Sequence, residues 1–411
     1  MASLGEIVAP RRMGRGFRWL LASSWTSNVG DGIALAAGPL LVASQTDAPF
    51  LVASAAMLQY LPWLLFGLHA GAIADRLDRR TLVMVANGLR ALVVGALCVF
   101  ISTGAVSIGV VLATMFVYGV AEVFADSASS TLLPMLVKHE DLGIGNARMQ
   151  GGYLVANQFA GPPLGAFLFA AGMAWPFAAQ VVCVSLAVVL VSRITLPPLA
   201  PREGGHPPVR RDIREGLRWI WGNPPVRTLA LVILVFNVTW AAPWGVLVLY
   251  ATEHLRMGAV GYGMLTAASA VGGLGATLAF GWLEQHVSFA TLMRACLSLE
   301  VVMHLALALT TSGWIALAIM VVFGAYAFVW ATISTTVRQR LVPTELQGRV
   351  GSVNMVCVFG GMVVGQALGG VIAQVWGLTA PWWFAFGGAG LTLVLVWRQL
   401  GFIAQTKRAT S

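Results

Sequence analysis

Charge is what this 411-residue chain has least of. Only 10% of its residues are Asp, Glu, Lys or Arg, 58% are hydrophobic, and the mean hydropathy is +0.80. Soluble domains run at about 25% charged and 45–50% apolar, so a water-soluble globular fold is excluded. Cysteine is equally sparse: Cys98, Cys183, Cys296 and Cys357 all fall inside apolar runs, where the thiol behaves as a small hydrophobe and no disulfide framework is indicated. The six histidines are dispersed. Cys and His lack metal-site spacing, no Gly-rich phosphate loop follows a strand pattern, and no catalytic constellation is present. We therefore expect no enzyme, no cofactor and no metal. The net charge of +9 comes from short basic clusters between apolar runs, not from one stripe or arm, so a nucleic-acid partner is not expected either.

What the chain has in abundance is long apolar segments. Read against the punctuation of charge, Gly and Pro, they number about twelve, centred near residues 31, 61, 91, 118, 158, 184, 238, 271, 300, 327, 360 and 389. Roughly twenty apolar residues cross a hydrocarbon core, and the segments at about 50–73 and 81–102 are long enough. The runs are continuous and do not alternate every second residue, which disfavours a membrane barrel. Arg11, Arg12, Arg15 and Arg18 precede the first run in the manner of a secretory signal, but apolar segments continue to the end, so an uncleaved first helix is expected. If the spans alternate, Arg256 is the one basic residue in the opposite loops and Arg90 lies inside a span, while every other Lys and Arg falls on a single side. Under the positive-inside rule both termini are then cytoplasmic, at a cell inner (plasma) membrane, and the number of spans is even.

The longest polar interruption opens with Pro197-Pro198-Leu199-Ala200-Pro201 and ends in the basic, helix-permissive stretch from Asp212 to Trp221. It divides the chain into residues 1–196, a cytoplasmic linker at 197–224, and residues 225–411. The two halves repeat weakly. Gly161-Pro162-Pro163-Leu164-Gly165-Ala166 matches Gly365-Gln366-Ala367-Leu368-Gly369-Gly370 at an offset of 204, and Gly71 with Thr81-Leu82 matches Gly281 with Thr291-Leu292 at 210. Parallel six-plus-six repeats about a central loop are a recurring transporter architecture. The small residues Gly161, Pro162, Gly165, Gly365 and Gly369 are expected to pack helices closely, at the interface between the halves.

Ionisable groups inside spans are costly in hydrocarbon and mark a pathway, a proton relay or an internal pair. Asp31 lies about 13 residues beyond Arg18, roughly 20 Å deep at 1.5 Å per residue, among Ser27, Asn28, Gly30 and Gly32. Two readings fit it: a proton or substrate-cation site, or a structural cap or salt bridge. Glu122 and Asp126 share a helix face at i and i+4. Arg90 matches the depth of Glu122, so an internal ion pair between them is expected, and Asp126 is left to meet Arg76 or Arg80. Glu300 and His304 form another i, i+4 pair with coupling potential, and no basic residue of the tenth span matches them in depth. Trp25, Asn28, Gln59, Tyr60, Asn237, Trp240, Tyr326 and Trp330 supply an aromatic and amide lining for an amphipathic molecule, with ordinary packing the alternative.

The turn Gly71-Ala72-Ile73-Ala74-Asp75-Arg76-Leu77-Asp78-Arg79-Arg80 resembles the loop between helices 2 and 3 of the major facilitator superfamily, usually Gly-x-x-x-Asp-Arg-x-Gly-Arg-Arg, with Asp78 replacing the second glycine. Asn28-Val29-Gly30-Asp31-Gly32 and Leu136-Val137-Lys138-His139-Glu140-Asp141-Leu142 with Asn146-Ala147 resemble the first helix and the 4–5 loop of its enterobactin-exporter and Tap-type multidrug efflux branch. Gly-Pro in the fifth span resembles an antiporter signature. The resemblance implies an all-α membrane protein, twelve transmembrane helices in two pseudo-symmetric six-helix bundles. It places Asp31, Glu122, Asn237 and Tyr326 near substrate and makes Gly71, Asp75, Arg76, Arg79 and Arg80 a cytoplasmic latch, with Asp126 nearby. Two departures stand out. Met115 occupies the site of an arginine common in proton antiporters, and the second-half loop from Gly281 to Ala290 keeps only Glu284 and His286. The expected function is proton-coupled export of small amphipathic compounds, such as drugs or siderophore-like metabolites, by a monomer in contact with membrane lipid. A lipid or lysolipid flippase, a nutrient symporter and a non-transporting receptor are the alternatives.

Overall fold

In a computed structural model, the described residues are 11–74, 77–196, 209–343 and 346–405, and they contain helices and no strand. The main helices are α1 (Gly14–Ala43), α2 (Pro49–Ala74), α3 (Arg79–Ser102), α4 (Ile108–Ser130), α5 (Leu142–Gly152), α6 (Gly161–Ala171), α7 (Trp175–Val191), α8 (Val209–Gly222), α9 (Pro224–Trp244), α10 (Gly258–His286), α11 (Phe289–Leu309), α12 (Gly313–Leu341), α13 (Gln347–Trp376) and α14 (Ala380–Gln405). A π-helical stretch, Tyr153–Ala160, joins α5 to α6, so that Leu142–Ala171 runs as one span. By length and composition, 10 helices among the described residues are apolar enough to cross a membrane. Two more apolar helices lie outside that set: α7, at 17 residues, and α1, whose 30 residues include Arg15, Arg18 and Asp31. The opening of the expected linker, residues 197–208, lies outside the described residues, as do Asp75 and Arg76 of the expected latch.

The chain forms two compact units, Met1–Thr46 with Leu61–His206 and Asp47–Tyr60 with Pro207–Ser411. The first half of α2 thus groups with the second unit. There Ala53 packs in a small core with Val246 and Ala373, and a Cβ on Gly370 would sit 2.7 Å from that of Ala53. The first unit's core gathers Phe17, Leu20, Val83, Leu132 and Ile194, and the second unit's gathers Ile220, Val226, Val342 and Val350.

Local chemistry sets the helix starts. Asp78 caps α3, its carboxylate accepting from the Thr81 N–H at 2.6 Å. That backbone bond holds the Asp78 carboxyl below its usual range. The aspartate that departs from the family's glycine is therefore a helix cap. At the repeat-equivalent position Ser288 caps α11 through Thr291 N at 3.2 Å.

The glycine faces do bring backbones together, but inside each unit. A Cβ on Gly161 would lie 2.5 Å from the Gly32 Cα, and one on Gly165 would lie 2.1 Å from the Ile33 carbonyl oxygen. In the second unit, Cβ atoms on Gly365 and Gly369 would fall 2.4 Å from Val238 O and 1.9 Å from Ala242 O. Gly161 and Gly165 thus pack α6 on α1, and Gly365 and Gly369 pack α13 on α9. Small residues let backbones touch wherever the neighbour is also small or offers an open groove, and α1 supplies Gly32 for this.

Candidate functional site: two buried polar clusters

In the first unit, three helices converge on Arg90. Its side chain is 1% exposed, in the interior of an apolar helix, and five groups from α1, α3 and α4 surround it. Nη1 donates to Asn87 Oδ1 at 2.7 Å and to Ser27 Oγ at 3.3 Å. Nη2 pairs with the Asp31 carboxylate and with the Tyr118 hydroxyl, while Glu122 Oε1 stands farther off at 3.8 Å. Tyr118 also donates to Asp31, as does Ser27, and the guanidinium lies 4.6 Å from the Tyr118 ring centroid. The Nε of Arg90 has no hydrogen-bond partner among the described residues.

Beside the guanidinium is a cleft of about 80 Å³, lined by Asn28, Asp31, Asn87, Arg90, Glu122 and Asp126 together with Ser27 and Asn157. A buried water needs about 10–15 Å³ of such space, so the cleft has room for several. Arg90 therefore takes Asp31 as its direct carboxylate partner and Glu122 as the more distant one. Arg76, one of the two basic residues expected to meet Asp126, lies outside the described residues, and Asp126 lines the cleft. It follows Glu122 by one helical turn on the face that α4 turns to α1 and α3, and Arg80 instead donates to the Ser192 carbonyl at 2.6 Å. Arg79 Nη1 lies 2.8 Å from Met135 Sδ. Among the described residues, nothing lies within 4 Å of where a Cβ on Gly71 would sit. Sequence reasoning missed Tyr118 and Asn87. The signal was present, since Tyr118, Glu122 and Asp126 form an i, i+4, i+8 stripe.

The second unit holds a drier cluster. Glu300 and His304 have 0% side-chain exposure and are joined by a 2.8 Å bond from Oε1 to Nε2. The Tyr326 hydroxyl donates to the other carboxylate oxygen. No Lys or Arg contacts Glu300 among the described residues. The His304 Nδ1 and the Trp382 Nε1 are buried without partners among the described residues, with the two rings 5.9 Å apart. Around them the aromatics stack on one another. Trp240 lies 4.9 Å from Trp244 and 6.2 Å from Phe323, and Trp330 lies 5.8 Å from Phe236. Asn237 donates to its own helix at Ile233 O, 2.7 Å away. Tyr60 stands 6.4 Å from Phe359, and Gln59 beside it is half-buried. Trp25 donates to Arg148 O at 3.1 Å in the first unit. Of the residues expected to line a cavity, the structure brings Asn28 to the Arg90 cleft and Tyr326 to Glu300. Among the described residues no group of three His, Cys, Asp or Glu side chains could hold a metal.

Residues 7–407 match the family model described as transmembrane secretion effector, of the major facilitator superfamily. The multidrug efflux pump Tap of Mycolicibacterium fortuitum is 28% identical over 88% of this chain and 90% of its own length. Macrolide efflux protein A of Streptococcus pyogenes is 21% identical over 86% of this chain and 87% of its own. Among solved structures, an inward-facing bacterial homologue of the iron transporter ferroportin superposes with a TM-score of 0.75 at 17% identity, covering 94% of this chain and 98% of that one. A D-xylose-proton symporter gives 0.73 at 14% identity, covering 96% and 99%. At these identities the structures speak for the fold alone. Fold, membrane-spanning helices and family agree: the chain is a multi-pass membrane transporter of small molecules, not an enzyme, and it belongs to the transmembrane secretion effectors of the major facilitator superfamily.

Proposed function

We propose that this protein is a proton-driven exporter of small amphipathic compounds, working by alternating access, with Asp31, Arg90 and Glu122 as its coupling site. One observation carries the reading. A single buried guanidinium faces three carboxyl groups, those of Asp31, Glu122 and Asp126, around a cleft with room for water. One cation cannot neutralise three carboxylates in a low-dielectric interior, so protons must balance the remainder, and water in the cleft can deliver and remove them. Protonating Asp31 dissolves its pair with Arg90 and leaves Glu122 as the available partner. That exchange would couple proton binding to helix position. In the second unit, the Glu300–His304–Tyr326 cluster adds a carboxyl that no Lys or Arg contacts among the described residues, a second place where a proton can reside.

The substrate class follows from Tap and macrolide efflux protein A, together with the aromatic side chains of α9 and α12. Inward movement of one proton across 100 mV supplies about 2.3 kcal/mol, enough for a gradient of about 40-fold at 1.4 kcal/mol per tenfold. In this reading α1 and α7 join the ten apolar helices to make twelve spans in two six-helix bundles of a monomer. Both termini are cytoplasmic at the plasma membrane, and Asp75, Arg76 and Arg80 form the cytoplasmic latch. Everted membrane vesicles from cells with and without the protein test the function. A macrolide or an amphipathic dye should accumulate in an energised vesicle, and a protonophore should abolish that accumulation. Accumulation that persists at full rate with the proton gradient collapsed would overturn the proton coupling.

A further inference from the structure

The helix that precedes the second set of spans carries an outward face that neither unit's core nor the transport site uses. α8 is fixed in rotation by its packing on α13. A Cβ on Gly216 would lie 2.5 Å from the Arg349 carbonyl oxygen, Ile220 is buried, and Glu215 pairs with Arg349 at 3.0 Å. With that side held, the opposite side presents two rows. Leu217 and Trp221, at i and i+4, are 49% and 62% exposed. Beside them Arg214 and Arg218, again at i and i+4, are exposed and have no hydrogen-bond or ion-pair partner among the described residues.

Connectivity fixes where this face sits. Only Asn223 separates α8 from α9, the span that follows. Arg227, in the first turn of that span, donates to Trp221 O at 3.3 Å and lies 5.9 Å from the Trp221 ring. The end of α8 is therefore tied to the point where the chain enters the bilayer, on the side rich in Lys and Arg. Large apolar side chains interleaved with arginines at that level match the water–lipid boundary, where Trp is enriched and arginine stems reach to headgroups. In water the Leu217–Trp221 row would stay exposed.

We propose that α8 is an interfacial helix whose Arg214 and Arg218 bind anionic lipid headgroups of the cytoplasmic leaflet while Leu217 and Trp221 insert beside them. Binding needs no folding step, because the helix is already held on α13. The inference does not depend on the transported substrate or on proton coupling.

The test uses full-length protein in nanodiscs that contain brominated phosphatidylglycerol or brominated phosphatidylcholine. The difference in tryptophan emission between the wild type and Trp221→Phe isolates the Trp221 signal. That signal should be quenched more strongly by the anionic lipid, and high salt should weaken the difference. In the double variant Arg214→Gln/Arg218→Gln the preference should fall by up to about 30-fold, taking about 1 kcal/mol per arginine at an anionic surface and 1.4 kcal/mol per tenfold. Should Trp221→Phe fail to assemble, Leu217→Trp adds a reporter on the same row. Equal quenching by the two lipids, indifferent to salt and to the arginines, overturns the proposal. So does the absence of any quenching at Trp221, the result expected if another protein or a second copy covers this face.

Discussion

Replacing Arg90 with leucine should be among the most damaging single changes in the first unit, and a second change should undo much of the damage. Arg90 is 1% exposed and is bound by Asn87, Ser27, Asp31 and Tyr118. Its removal leaves the Asp31 carboxylate, 12% exposed, without a cation. Removing one member of a buried pair costs about 3–5 kcal/mol, whereas apolar replacement of both members is often neutral. At about 1.2 °C per kcal/mol for a chain of this size, Arg90→Leu should lower the melting temperature in detergent by about 4–6 °C. Asp31→Leu in the same molecule should recover most of that loss. Glu122→Leu should recover less, because its carboxylate stands 3.8 Å from the guanidinium and lines a cleft open to water. Thermal unfolding followed by gel filtration of the two double-mutant cycles reads these couplings. If Arg90 and Asp31 add to within about 0.5 kcal/mol, the limit for independent sites, the paired-charge account is wrong.

Other outcomes follow from the same geometry. Gly369→Ala should sharply reduce folded yield, because its Cβ would fall 1.9 Å from the Ala242 carbonyl oxygen, whereas Gly71→Ala, with nothing within 4 Å, should leave yield unchanged. Asp78→Ala should cost about 1 kcal/mol through the lost cap, while Asp78→Ser should retain most of it, as Ser288 does at the equivalent place. Because the folded Asp78 carboxyl sits below its ordinary range, its contribution is complete above the unfolded pKa of about 3.9 and is lost as pH falls through the lower folded value. The gap between wild type and Asp78→Ala in a pH series should therefore close only in acid. Glu300→Gln keeps an acceptor for Tyr326 and should fold, while Glu300→Leu strands the Tyr326 hydroxyl and His304 in a dry interior, at about 1–3 kcal/mol for each unsatisfied group, which circular dichroism melts would register.

The apolar runs made the helices legible, since roughly twenty apolar residues have few other uses. Depth was legible as well: counting residues from a charged loop sets Arg90 and Glu122 at one level. Depth along an axis says nothing of rotation about it. For that reason neither the Arg90–Asp31 pairing nor the place of Asp126 in the lining of the cleft can be read from spacing. The glycine motifs identified faces in close contact without identifying the neighbour, which is set by which helix brings a matching small residue. The π-helical stretch at Tyr153–Ala160, which carries Asn157 to the cleft, has no apolar period of its own to betray it. Nor does any sequence signal mark that the first half of α2 packs with the second unit. Asp78 shows the reverse case, a departure from a family motif whose reason was local and readable, a cap three residues before Thr81.

The central claim is that Asp31 carries the coupled proton. Purified protein in liposomes with a trapped pH indicator measures it directly, by adding a macrolide or amphipathic dye and recording proton movement with and without an imposed gradient. Wild type should move protons opposite to substrate and accumulate substrate uphill, whereas Asp31→Asn should bind and exchange substrate down its gradient, with neither proton flux nor uphill accumulation. Full proton-coupled accumulation by Asp31→Asn would contradict the account and return the proton to Glu122, Asp126 or Glu300.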